Sequence, residues 1–330
     1  MMKIWWIFLF LAVLSTLTFG QDAAQGEYRL ALPNHNGQLQ WSAPGFKIIQ
    51  SSAKANGHEI GLRGQDEAKR VIFLGFLFLF PEQAPLTSAK CRDGVMDPEK
   101  KANKSLKVLN TSEVQRSDGL PLDLVTYTTD VRGGKTQSIV RGFIADGDIC
   151  GDLEFYSDTT ITAEDVALKN AFASYKLDRT YVPRFLDVFL YAQMLYSMHN
   201  YKGAGPIFEA ALTKLHEEHP GNEKTMTRVL TDQAGMSYGM SGDISKARAI
   251  FQNAISDDPD YPLYYYNLAC ADAEEKNLQG AQAHLQQAFD RKANVIASES
   301  MPDPTKDDSF LPYRNDKKFW AFVESLQAKP

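Results

Sequence analysis

Two histidines and two glutamates stand together at His216-Glu217-Glu218-His219. A zinc-protease helix needs H-E-x-x-H, which puts both histidines on one face at i and i+4. Here the spacing is i, i+3 and Pro220 follows at once, so the segment reads as the charged end of a surface helix. His35, His58, His199 and His284 have no Cys or carboxylate at ligand spacing, and no metal site is expected. Asp146-Gly147-Asp148 with Asp152 is acidic, but it lacks the twelve-residue ladder and closing Glu of a calcium loop and reads as a hairpin turn. No G-x-S-x-G, G-x-x-x-x-G-K or G-x-G-x-x-G is present, so nucleophile-elbow, phosphate-loop and dinucleotide chemistry have no sequence support. No catalytic residue and no cofactor is assigned, and the expectation is a protein that is not an enzyme.

The cysteines point to a compartment. Met1-Met2-Lys3, the apolar run Ile4 to Leu14, and Thr18-Phe19-Gly20 ahead of Gln21 have the layout of a secretory signal peptide over residues 1–20. Export to a periplasmic or extracellular space lets disulfides persist. With three cysteines, at most one bridge closes within a chain. Cys91 and Cys150 share a region and are the natural pair, whereas Cys270 sits at a small-residue helical position and reads as a buried free thiol. After cleavage no transmembrane segment is expected. The one other apolar run, Val71 to Phe80, is too short for a membrane helix and reads as a strand buried on both faces.

These residues need elements to carry them. Residues 21–178 read as an α+β domain, an antiparallel sheet with helices. Strands are expected at Gln38–Ala43, Phe46–Ser52, Glu59–Arg63, Val71–Phe80, Val108–Arg116, Leu122–Asp130, Ser138–Asp146 and Ile149–Tyr156. Alternation in three of them, 108–116, 122–130 and 138–146, predicts one wet face. A short helix is expected at Leu86–Arg92 and a closing helix capped by Thr162. Residues 179–184, with Pro183, read as a linker. From Phe185 the pattern becomes helical. Net charge is −6 with no long basic run, which excludes nucleic acid as the main ligand.

The helical part repeats. Gly235, Tyr238, Ala247, Phe251, Ala254 and Pro259 belong to a copy starting at Arg228; Ala269, Ala281, Leu285 and Ala288 follow from Pro262 at an offset of 34 residues. An earlier copy from Phe185 gives Ala192, Ala204, Phe208 and Ala211 at an offset of 43, the excess falling around His219-Pro220-Gly221-Asn222. Small residues at these places let paired helices approach, and stacked pairs bury a face that one pair cannot. On these residues 185–326 resembles an all-α tetratricopeptide (TPR) array. Ser309-Phe310-Leu311 and Arg314-Asn315-Asp316-Lys317-Lys318-Phe319 resemble the ending of many bacterial TPR arrays, with Phe319, Phe322, Val323 and Leu326 as the apolar face of a capping helix. The N-terminal part is faintly similar to PsbP-like α/β domains of exported bacterial proteins.

The resemblance implies a concave face made by the first helix of each pair. In that phase Phe189, Gln193, Tyr196, Asp232, Met236, Met240, Tyr266 and Asn267 point into it, and the expected ligand is a protein or peptide. A carboxylate clamp needs Lys or Arg where Leu186, Val229 and Leu263 stand, and only Asn267 fits that pattern. The expectation is an exported, non-enzymatic scaffold. The alternative makes the N-terminal domain an enzyme or a small-ligand or envelope-binding module, with the array as its docking handle.

Overall fold

The computed structural model describes residues 26–81, 85–115, 118–131, 133–297 and 299–328; the signal peptide expected over residues 1–20 lies outside them. The described residues divide into two compact units, one ending at Leu195 and the other beginning at Tyr196. The division falls beyond the 179–184 segment, inside a helix. Among the described residues no helix is long and apolar enough to cross a membrane.

In the first unit the chain runs β1 (Glu27–Ala31), β2 (Gln38–Ser42), β3 (Lys47–Ala53), β4 (Glu59–Asp66), β5 (Val71–Leu79), α1 (Ser88–Ala102), β6 (Lys107–Val114), β7 (Leu122–Val131), β8 (Lys135–Asp146), β9 (Ile149–Ser157), α2 (Val166–Ser174) and β10 (Lys176–Asp178). Seven strands form one antiparallel sheet in the order β3-β4-β5-β9-β8-β7-β6, and β1-β2-β10 form a second. The α+β expectation holds. An aromatic core joins Tyr28 and Trp41 of the small sheet to Phe73 on the large one, and Phe155 meets Phe46 and, from α2, Phe172. The opposite face of the large sheet carries α1 across β7, β8 and β9. There Cys91 and Met96 pack with Val125, Tyr127 and Phe143, and Cys91 is bonded to Cys150 with Cα atoms 5.5 Å apart.

Several expectations change. β5 is not buried on both faces: Phe73 and Leu77 are fully buried, while Leu74 and Phe76 on the other face are half-buried, because α1 covers only the other end of that face. β6, at the sheet edge, is exposed on both faces, not one. α1 runs well past Arg92, through Gly94 and Pro98, starting from Thr87, whose side chain accepts from Lys90 N. Thr162 does not cap α2. Instead the Asp165 carboxylate accepts from the Thr162 N–H at 2.9 Å, and Asp165 is the cap position.

The second unit takes over within α3 (Phe185–Ser197) and continues as α4 (Tyr201–Glu218), α5 (Glu223–Met240), α6 (Ile244–Asp257), α7 (Pro262–Glu274), α8 (Leu278–Asp290) and α9 (Lys317–Gln327). It is an array of helical hairpins. Three hairpin turns share one construction. His199, Gly242 and Lys276 take left-handed backbone, with φ of 60°, 92° and 60°. Each is followed by an N-cap, Asn200, Asp243 or Asn277, whose side chain accepts the N–H of the third residue on. A side-chain oxygen satisfies an otherwise orphaned helix donor, so the local geometry repeats with the sequence. The longer first interval has a structural source: α4 and α5 are 18 residues each, against 14 and 13 for α6 and α7. Within a hairpin Gly235 admits the Phe251 ring, which would lie 2.3 Å from an added Cβ. At the end of the array, Asp316 caps α9 and Phe319, Val323 and Leu326 are buried.

Candidate functional site

The first helices of consecutive hairpins, α5 and α7, bring Asp232 and Asn267 together. The Asn267 Nδ2 donates to Asp232 Oδ1 at 2.6 Å. Asp232 is buried; burial, reinforced by Glu299, holds its carboxyl well above the usual range against the lowering effect of Asn267. Desolvation disfavours the charged carboxylate, and a second acid adds to that. Glu299 lies in the segment that follows α8. Tyr261 Oη donates to its Oε2 at 2.5 Å, burial raises its pKa, and its Oε1 is buried without a hydrogen-bond partner. The guanidinium of Arg228 opposes the rise at Glu299 through its charge. It stacks over the Tyr261 ring at 4.8 Å and forms a two-pronged pair with Asp258, at 2.6 and 3.1 Å.

Next to these acids the face is softer. Tyr196 Oη meets Met240 Sδ at 3.5 Å, and its ring lies edge-on to Tyr201 and Phe208. Tyr196, Met236, Met240 and Asn267 are half-buried, and Met236 packs on the cluster around Tyr261 and Tyr264. Tyr266 is placed differently from its neighbours in the sequence pattern. It is 2% exposed, its hydroxyl donates to Asp307 Oδ2 at 3.0 Å, and its ring lies against Phe310. The 3-10 turn Asp308–Tyr313 lies over α7 and seals it. Cys270, a free thiol, points to the same Asp307 carboxylate at 3.6 Å, and burial raises its pKa well above the ordinary value. Phe189 and Gln193 fall in the first unit, the former buried and the latter half-buried.

No family model and no curated protein matches this chain. Solved structures with similarity include a Pseudomonas aeruginosa protein of unknown function, 17% identical, covering 34% of this chain and 74% of its own, with a TM-score of 0.25. The cyanobacterial PsbP of Synechocystis sp. PCC 6803 is 11% identical and covers 47% of this chain and 94% of its own, at a TM-score of 0.34. A Bacteroides thetaiotaomicron protein is 9% identical over 69% of this chain and 79% of its own, at 0.30.

The sequence pattern missed Glu299, Tyr261, Arg228 and Asp307. Glu299 and Asp307 lie after the last hairpin, where helical periodicity has ended, so no phase assigns them to a face. Tyr261 immediately precedes α7, at its N-cap position. The half-buried Tyr196, Met236 and Met240 side chains beside these acids offer amphipathic and adaptable contact area. Among the described residues no group of three or more His, Cys, Asp or Glu is placed to hold a metal.

Proposed function

We propose that this chain is an exported, non-catalytic binding protein whose tetratricopeptide-like array takes a protein or peptide partner on its first-helix face. The observation that carries the reading is the Asp232–Asn267 bond. It joins consecutive first helices beside the half-buried Tyr196 and Met240. The recurring left-handed turn and Asx cap support the repeat reading. The leader pattern and the Cys91–Cys150 bridge support export. Tyr and Met are amphipathic or adaptable contact residues. With the exposed Glu274 on α7 and the half-buried Asp307 beside it, the partner segment is expected to bring Lys or Arg. A photo-crosslinking residue at Met240, compared with one at the exposed Gln252 on α6, tests this in an envelope extract. A defined adduct at Met240 that is absent at Gln252 supports the reading; equal capture at both positions, or none at Met240, counts against it.

A second reading assigns ligand binding to the first unit. It rests on a pocket of about 200 Å³ on the large sheet, lined by Gln65, Arg70, Ile72, Gln137 and Tyr156. A small polar ligand there would shift the side-chain amide resonances of Gln65 and Gln137 in a titration.

A further inference from the structure

We propose that the C-terminal turns of α1 are a pH-sensitive clasp, in which Glu99 holds the helix to Arg141 while Glu154 carries a proton and lets go when Glu154 ionises. The clasp is built around one guanidinium. Arg141, on β8, is 5% exposed. Its Nε and Nη2 are committed to Asp152 on β9, at 2.8 and 2.6 Å. Its Nη1 is shared, meeting Glu99 Oε2 of α1 at 2.6 Å, Glu154 Oε2 of β9 at 3.2 Å, Tyr127 Oη of β7 at 3.4 Å and Met96 Sδ of α1 at 3.7 Å. Tyr127 Oη in turn donates to Glu154 Oε2 at 3.2 Å. On the remaining side, Arg63 of β4 donates to Tyr156 Oη at 2.8 Å and to none of these acids.

Charge balance decides which contact gives way. With Glu154 neutral, Arg141 faces two carboxylates; with Glu154 ionised it faces three. Buried like charges repel strongly because the low local dielectric does not screen them. Relief comes from moving the acid that reaches water most cheaply. The Asp152 side chain is fully buried, that of Glu154 is 13% exposed and that of Glu99 is 46% exposed. Glu99 is therefore the group that leaves. The helix around it is already weakened, since Pro98 removes a backbone donor inside α1. The N-terminal half of α1 stays tied to the sheet by the Cys91–Cys150 bond. Burial pushes the Glu154 carboxyl up to about 7, with Arg141 opposing and Asp152 and Glu99 adding to the rise, which sets the transition near neutrality. The sign follows. A carboxyl whose pKa is raised on folding contributes stability below its unfolded value, near 4.3, and loses it as pH rises through about 7.

Amide hydrogen exchange on the full chain tests this at pH 6 and pH 8, after correction for intrinsic exchange. Protection of residues 96–102 is expected to fall about tenfold at pH 8, while residues 88–92 beside the disulfide keep theirs. Glu154→Gln is expected to keep residues 96–102 protected at both values. Glu99→Gln, at a half-exposed position that leaves folding intact, is expected to lose the pH dependence as well. Parent protection that does not change with pH overturns the clasp. So does a pH-dependent loss that persists in Glu99→Gln.

Discussion

The amide of Asn267 reaches the buried carboxyl of Asp232 across 2.6 Å and ties one first helix of the array to the next. Removing the donor leaves the acid in place without its hydrogen bond. A buried acceptor stripped of its partner costs about 1–3 kcal/mol. Asn267→Ala is expected to lower the unfolding free energy of the second unit, read by urea titration, by that amount, and Asn267→Gln to recover little, because the longer side chain misplaces the amide. An Asn267→Ala protein that melts with the parent would mean that the bond carries no stability.

The same acids make stability depend on pH. Asp232 and Glu299 both titrate above their ordinary values because they are buried. Each therefore favours the folded state fully below about pH 4, near its unfolded pKa, and loses that contribution as pH rises through its folded value. The parent is expected to be less stable toward urea at pH 8 than at pH 5. Asp232→Asn with Glu299→Gln should narrow the difference. An unchanged difference would place its source elsewhere, Glu154 being the next candidate.

Much of this was legible in the sequence where period and turn chemistry agree. The hairpins appear because small residues recur at fixed spacing and because Asn200, Asp243 and Asn277 can each cap the helix that follows. The disulfide partners are legible because, of three cysteines, Cys91 and Cys150 alone share a region of the sequence. Tyr266 shows the limit. Its helical phase resembles that of Tyr196, yet Phe310 and Asp307 cover it from a segment with no periodicity. α1 shows another, since the expected helix ends at Arg92, whereas burial of Cys91 and Met96 and the Glu99–Arg141 contact accompany a helix that runs on through Gly94 and Pro98. β1 and β10 are short and pair only with β2, so they give little local signal.

The Cys91–Cys150 bond spans 59 residues of sequence. A loop of that size adds roughly 4 kcal/mol in the loop-entropy view. Cys91→Ala with Cys150→Ala should lower the melting temperature of the first unit by several degrees or more. Thiol titration of the unreduced, denatured protein should find one reactive group, Cys270, and three after reduction. Three before reduction would exclude the bond.

Two glycines of α5 separate helix propensity from close packing. A Cβ at Gly235 would meet the Phe251 ring at 2.3 Å, whereas one at Gly239 would meet Ala247 Cβ at an ordinary 3.7 Å. Overpacking of a filled core typically costs about 1–3 kcal/mol, while Gly to Ala inside a helix gains about 1 kcal/mol. Gly235→Ala should destabilise the array and Gly239→Ala should stabilise it or leave it unchanged. The same sign for both in thermal melts would show that Phe251 is not seated on α5 as described.

Binding and stability must be separated to test the face itself. Tyr266 is buried among Phe310, Phe319 and Leu285, so Tyr266→Ala is expected to cost about 3–5 kcal/mol, the range for deleting a large aromatic from a core, and its effect on a partner would report unfolding. Tyr266→Phe removes only the hydroxyl bonded to Asp307, a loss of about 1 kcal/mol, and should leave partner affinity unchanged. Met240 is half-buried at the end of α5 and touches Tyr196. Met240→Ala should melt within a few degrees of the parent, while weakening a partner captured at that position at least tenfold, as truncation of a central anchor typically costs about 2 kcal/mol. Titration calorimetry with the captured partner measures both variants. Binding lost in Tyr266→Phe but kept in Met240→Ala would move the contact surface off the Tyr196–Met240 end of the face and toward the Asp307 segment that seals α7.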